Sequence, residues 1–120
     1  MNGVWLELID AAVDRRLALH RRPELTWHEV ETARTIRDEL TRTQISWRPC
    51  AETGTVAKLA ANAPGRHIAL RADIDALPIT EAIGCEWKSE TDGAMHACGH
   101  DGHTATLLAT AAWLKRHESK

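Results

Sequence analysis

Leu6, Ile9, Val13 and Leu17 recur at helical spacing and predict an amphipathic helix from about Trp5 to Leu19. Arg21-Arg22-Pro23 ends it, because the residue before a proline is biased away from helical geometry. Thr26-Trp27-His28-Glu29 matches a capping box, in which hydroxyl and carboxylate satisfy each other's free backbone donors. A second helix is predicted from there to about Leu40, with Val30, Ala33, Ile36 and Leu40 on its apolar face. Two later runs read as strands: Thr53 to Ala60, carrying Val56 and Leu59, and His67 to Ala72, carrying Ile68 and Leu70. The Asn62-Ala63-Pro64-Gly65 turn between them predicts an antiparallel hairpin. Residues 80–94 hold Glu81, Glu86, Glu90 and Asp92 without periodicity and read as an irregular active-site loop. The last element, His103 to about Arg116, reads as a helix with Asp101 as its N-cap. Ala105, Leu107, Leu108, Ala109, Ala111, Ala112, Trp113 and Leu114 make it apolar nearly all round, so cover on several sides is expected, some of it from missing partners.

With 120 residues the chain is one domain at most, and 27% charged with 43% hydrophobic residues is the composition of a soluble globular protein. The net charge is −2 and the basic residues are scattered, so nucleic acid has no electrostatic footprint to bind. No apolar run approaches the length of a membrane span, and the N-terminus lacks a basic region followed by an apolar one. The expected location is the cytoplasm. Three cysteines without a paired spacing argue against a disulfide framework. Cys50 and Cys85 are expected to be buried or half-exposed thiols, and the five tryptophans to be packing groups.

Met95-His96-Ala97-Cys98-Gly99-His100-Asp101-Gly102-His103 changes the picture by placing one thiol and three imidazoles in nine residues. Thiolate and neutral imidazole are the ligands that divalent transition metals prefer. Gly99 and Gly102 are expected to permit the tight turn that brings Cys98 and His100 together. Two side chains do not complete a coordination sphere, so the chain reads as holding half of an active site.

Three ordered blocks carry a resemblance: Leu19-His20-Arg21-Arg22-Pro23-Glu24-Leu25, then Ala69-Leu70-Arg71-Ala72-Asp73-Ile74-Asp75-Ala76-Leu77-Pro78-Ile79, then Met95 to Ala105. Together they resemble the N-terminal part of an M20-family metal-dependent amidohydrolase, in the branch of aminoacylase-like, hippurate and auxin-conjugate hydrolases. The resemblance covers roughly residues 10–116. It implies an α/β fold, the incomplete N-terminal portion of a zinc-peptidase-like catalytic domain. Its parts would be two helices, a β-hairpin, a metal-ligand loop and a buried helix. The rest of that domain and a dimerisation domain would be absent from residues 1–120. It further implies two divalent metal ions, with Mn, Zn, Co and Ni undistinguished, and hydrolysis of the amide bond of N-acyl amino acids or related amides. Cys98 and His100 match the family's first two metal ligands. Asp75 matches a carboxylate that supports the metal site from behind its ligands, and is preferred over Asp73 for that role. The remaining ligands and the glutamate general base have no match among these residues.

The same residues have plainer readings. An isolated Cys98 would be a small buried hydrophobe. His96 and His103 are expected to support the site structurally, and His20 to sit at the C-terminal end of the first helix, favoured by its dipole. His28, His67 and His117 are expected on the surface. Arg71 is read as holding a carboxylate, of substrate or of Asp75, or as a structural salt bridge. Asp73 and Asp75 alternate along an extended segment, so only one is expected to face the metals. Taken alone the chain is expected to be inactive. The alternatives are a truncated, non-catalytic remnant and one half of a split enzyme completed by another chain; a homodimer is the further partner expected of the full-length form.

Overall fold

The computed structural model describes residues 3–118. Helices α1 (Gly3–Arg21) and α2 (Val30–Arg42) precede a two-stranded antiparallel sheet of β1 (Ser46–Cys50) and β2 (Gly54–Lys58), and α3 (His100–Arg116) closes the order. The helical periodicity thus located α1 and α2, each extending about two residues past its predicted C-terminal end. On α1, however, the predicted apolar stripe of Leu6, Ile9 and Val13 is exposed, and Leu8 and Leu19 are the buried apolar residues.

The capping box does not form. The residue before α2 is Glu29, which makes no side-chain cap bond. Glu24 caps the helix instead: its carboxylate accepts from the Glu31 and Thr32 backbone N–H groups, at 3.1 and 2.6 Å, and from the Thr32 hydroxyl at 2.6 Å. A carboxylate on free amide donors at a helix N-terminus is doubly favoured, by hydrogen bonding and by the dipole. At its other end α2 stops in a Schellman turn, with Ile45 N–H donating to Leu40 O and Gln44 N–H to Thr41 O. Gln44 adopts φ +58°, and Ile45 and Leu40 then meet in the core with Leu108, packed by Ile36, Leu59 and Ala111. On the predicted apolar face of α2, Ala33 and Leu40 are buried, whereas Val30 is exposed.

The hairpin lies one strand earlier than predicted. Ser46–Cys50 pairs with Gly54–Lys58, while residues 66–72 form no strand and Ile68 is 86% exposed. Arg37 on α2 holds this hairpin: its guanidinium donates to Thr55 Oγ1, Glu52 O and Gly54 O and lies over the Trp47 ring at 5.4 Å. Gly54 is required at the turn, since a Cβ there would sit 2.5 Å from Cys50 O. Cys50 is exposed, a correction to the buried or half-exposed expectation, while Cys85 is half-buried.

Helix α3 begins at His100, three residues before the predicted start. Gly99, at φ +81°, is its N-terminal boundary, so Asp101 is inside the first turn and is not the cap. Helix α1 packs along α3, with Trp5 stacked on Trp113 at 5.4 Å and Arg116 paired to Glu7 at 2.8 Å. Thr104, Ala105, Leu108 and Ala112 of α3 are buried, but Leu114 is 39% exposed, so α3 is not covered all round. No described helix is long and apolar enough to cross a membrane.

Candidate metal centre

The 76–77 segment is stitched on both sides by backbone hydrogen bonds. Ala76 N–H donates to Glu24 O in a parallel bridge, and Leu77 and Met95 exchange both N–H···O bonds in an antiparallel one. The three blocks of the sequence therefore lie side by side, with the Asp73–Ile79 segment in the middle.

That arrangement sets His100 against Asp75. The His100 Nδ1 lies 3.0 Å from Asp75 Oδ1 and 3.0 Å from Asp75 O. Both oxygens are acceptors, so Nδ1 carries a proton, and in the neutral ring the lone pair is then on Nε2. Asp75 Oδ2 in turn accepts from the Thr26 hydroxyl at 2.7 Å. That bond first, and His100 next, hold the Asp75 carboxyl below its ordinary range against the opposing effect of burial. Asp73 lies nearer the other ring nitrogen, its Oδ2 being 4.0 Å from Nε2, and its second oxygen pairs with the exposed Arg71 at 2.5 Å. Strand alternation led to the expectation that only one of the two aspartates would face this site. Both approach His100 because the segment is not a regular strand. Arg71 takes the salt-bridge reading, with Asp73 as its partner.

Cys98 is exposed, one residue before the left-handed Gly99. Gly99 makes the turn, whereas Gly102 is a helical residue without positive φ. His103 is exposed, its ring 5.7 Å from that of His100. Among the described residues, no group of three or more His, Cys, Asp or Glu side chains is arranged to hold a metal ion. The residues present fit a partial donor set: an exposed thiol and an imidazole whose Nε2 is left open by a carboxylate on Nδ1. That carboxylate–imidazole pairing is the usual support of a metal-bound histidine.

Beneath this turn lies a buried ionic cluster that the sequence did not reveal. His20 sits in the last turn of α1, as expected, and is buried there at 5% exposure. Its Nδ1 lies 2.8 Å from Asp101 Oδ2 and its Nε2 3.1 Å from Glu81 Oε1. Arg16 Nε approaches the same Asp101 oxygen at 3.4 Å, and Glu81 also accepts from Ser89 N–H at 2.5 Å. Burial pushes the His20 pKa down, but the hydrogen bonds and charges of Glu81 and Asp101 outweigh it and the pKa is raised. His96 is buried with no hydrogen-bond partner for either ring nitrogen among the described residues, and burial first of all lowers its pKa. His28 and His67 are exposed, and His117 is half-buried with Nδ1 2.7 Å from Trp113 O.

The geometry has counterparts. The profile of Peptidase family M20/M25/M40 matches residues 69–120, the part that holds Asp75, Cys98 and His100. IAA-amino acid hydrolase ILR1-like 5 of Arabidopsis thaliana is 43% identical over 116 residues, covering 95% of this chain and 26% of that protein. The chain is similar to the M20 peptidase family. N-acetylcysteine deacetylase of Bacillus subtilis is 44% identical over 110 residues, covering 90% of this chain and 29% of that protein. The crystal structure of a dinuclear metal binding M20-family peptidase of Bacillus subtilis superposes with a TM-score of 0.89 at 41% identity, covering 94% of this chain and 32% of that one. The chain thus spans about a quarter to a third of these relatives' length. Its α/β architecture of helices and a small antiparallel sheet matches theirs.

Proposed function

We propose that this chain forms the N-terminal segment of an M20-type catalytic domain. In that domain it would contribute Cys98 and His100 to a pair of divalent metal ions, with Asp75 supporting His100. The complete site hydrolyses the amide bond of N-acyl amino acids or related conjugates. The observation that carries this reading is the Asp75–His100 hydrogen bond, which leaves Nε2 as the free donor beside the Cys98 turn. The relatives act on such compounds by name, one on IAA–amino acid conjugates and one on N-acetylcysteine. Bound metal would supply Lewis acidity toward the scissile carbonyl and a water of lowered pKa. Asp75 orients His100 and keeps its Nδ1 protonated, and Cys98, as thiolate, offsets metal charge. A reducing, cytoplasmic setting keeps that thiol available.

The general base and the remaining ligands are placed outside residues 1–120, as is the dimerisation domain. The 120 residues alone are therefore expected to turn over no N-acyl amino acid with Mn²⁺, Co²⁺ or Zn²⁺.

Cobalt titration of the full polypeptide tests the ligand assignment. A thiolate-to-cobalt absorption band is expected in the wild type and is lost in Cys98→Ser, while His100→Ala weakens binding. A band that survives Cys98→Ser would refute the assignment.

A further inference from the structure

We propose that Thr26 is a positioning residue for His100, acting through Asp75. The inference rests on the reading of His100 as a metal ligand. Its evidence is a relay of two hydrogen bonds: Thr26 Oγ1–H donates to Asp75 Oδ2 at 2.7 Å, and Asp75 Oδ1 accepts from His100 Nδ1–H at 3.0 Å. A carboxylate gripped at one oxygen only can rotate about its terminal torsion, which is broad and soft. The side chain of Asp75 is 26% exposed, so water competes for it. Gripped at both oxygens, it presents a fixed acceptor to the imidazole.

The hydroxyl is available for this because α2 is capped by Glu24. A threonine three residues before a glutamate ordinarily serves the helix behind it, and here it does not. The backbone around it is held at a cost. Trp27, the next residue, has φ +68°, a conformation that costs a side-chain-bearing residue roughly 1–2 kcal/mol. Trp27 is 61% exposed, so packing of its indole does not offset that strain. The flanking bonds do hold the turn: His28 N–H to Leu25 O, and Ala76 N–H to Glu24 O. Their joint effect is to lay Thr26 against the carboxylate behind His100. The first sequence block therefore contributes to the metal site from two bonds away.

The test uses the full polypeptide carrying Thr26→Val, Thr26→Ala or Thr26→Ser. Long-range ¹⁵N–¹H NMR of the metal-free protein reports the His100 tautomer, its signal assigned by its loss in His100→Gln. Zinc affinity is measured alongside. The valine and alanine variants should shift His100 from the Nδ1–H form toward a mixture and weaken zinc binding roughly threefold to tenfold, about the worth of one hydrogen bond. Serine should restore both. Wild-type tautomer and affinity in Thr26→Val would overturn the proposal, as would a serine variant that behaves like valine, since the lost methyl would then be the cause. If the wild type binds no zinc, the metal-site reading fails, and the tautomer still decides the role of Thr26.

Discussion

Replacing His20 by leucine takes the imidazolium from between two carboxylates whose side chains are 0% and 3% exposed. At 2.8 and 3.1 Å the two attractions are each worth about 5–6 kcal/mol in gross Coulomb energy at an effective dielectric of about 20. Desolvation of three charges cancels most of that, so the intact cluster adds little net stability. Breaking it is different, because Asp101 and Glu81 stay buried with their charge uncompensated. Arg16 at 3.4 Å and the Ser89 N–H soften this without replacing the imidazolium. The expected loss is about 3–5 kcal/mol, a large share of an ordinary domain's stability. Urea unfolding followed by tryptophan fluorescence measures it, at several pH values. The His20 pKa is raised above 6.5, so its stabilisation is fully present below pH 6.5 and is lost as pH rises through the folded value. The Glu81 pKa is lowered from 4.5, mainly by Ser89 N–H and then by His20, so its share is present above pH 4.5 and is lost as pH falls through the folded value. The gap between wild type and His20→Leu should therefore be widest in mildly acid solution and shrink on the alkaline side. A gap below about 1 kcal/mol, or one that widens as pH rises, would show that His20 is not the charged centre of this cluster.

Other outcomes follow from local geometry. Glu24→Ala should cost about 1 kcal/mol by removing the α2 cap, read as a lowered urea midpoint with unchanged slope. Gln44→Gly should stabilise by up to about 1 kcal/mol, because glycine accepts φ +58° without penalty, and thermal unfolding reads the gain. Gly54→Ala should destabilise by roughly 1–3 kcal/mol, since the new Cβ meets backbone 2.5 Å away that no side-chain movement relieves; circular dichroism melting checks it.

The helices were legible because apolar spacing is local: on α2 Leu40 and Ala33 are buried as the 3.6-residue period requires. On α1 the spacing found the helix but not its buried face, since Leu6, Ile9 and Val13 are exposed. The hairpin was misplaced for a physical reason. β1 carries Pro49 and no clean alternation, which marks it as a poor strand by sequence. It pairs nonetheless because Ala51 and Glu52 take left-handed φ values of 47° and 63° and Arg37 clamps the turn, and no pattern of hydrophobicity encodes either. Residues 67–72 have the better strand composition, but no described residue pairs with them, so Ile68 and Leu70 stay exposed. Asp101 was read as a cap because it precedes a periodic run. Gly99 started the helix earlier, and the carboxylate went to His20, a partner 81 positions away in sequence. Long-range ion pairs of this kind leave no local mark on either residue.

The sequence preferred Asp75 to Asp73 by motif alone, and the contacts supply a mechanical reason. Asp75 is fixed at both carboxylate oxygens, by Thr26 and His100, and its carbonyl also faces the imidazole; the next residue is hydrogen-bonded to Glu24. Asp73 is fixed through its carbonyl, which accepts from Thr104 Oγ1 at 3.2 Å, while its carboxylate is held by Arg71, a side chain 85% exposed. An exposed ion pair contributes little and is screened by salt, so it orients a carboxylate weakly. Orientation is what a group behind a metal ligand must supply, because a misdirected imidazole lone pair is lost as a donor. The geometry therefore favours Asp75 for holding His100 and leaves Asp73, 4.0 Å from Nε2, near the open side of the ring. Asp75→Asn should disturb the His100 tautomer in the metal-free protein, whereas Asp73→Asn should leave it unchanged. The same ¹⁵N–¹H measurement that tests Thr26 separates them, and an equal effect of the two substitutions would refute the distinction.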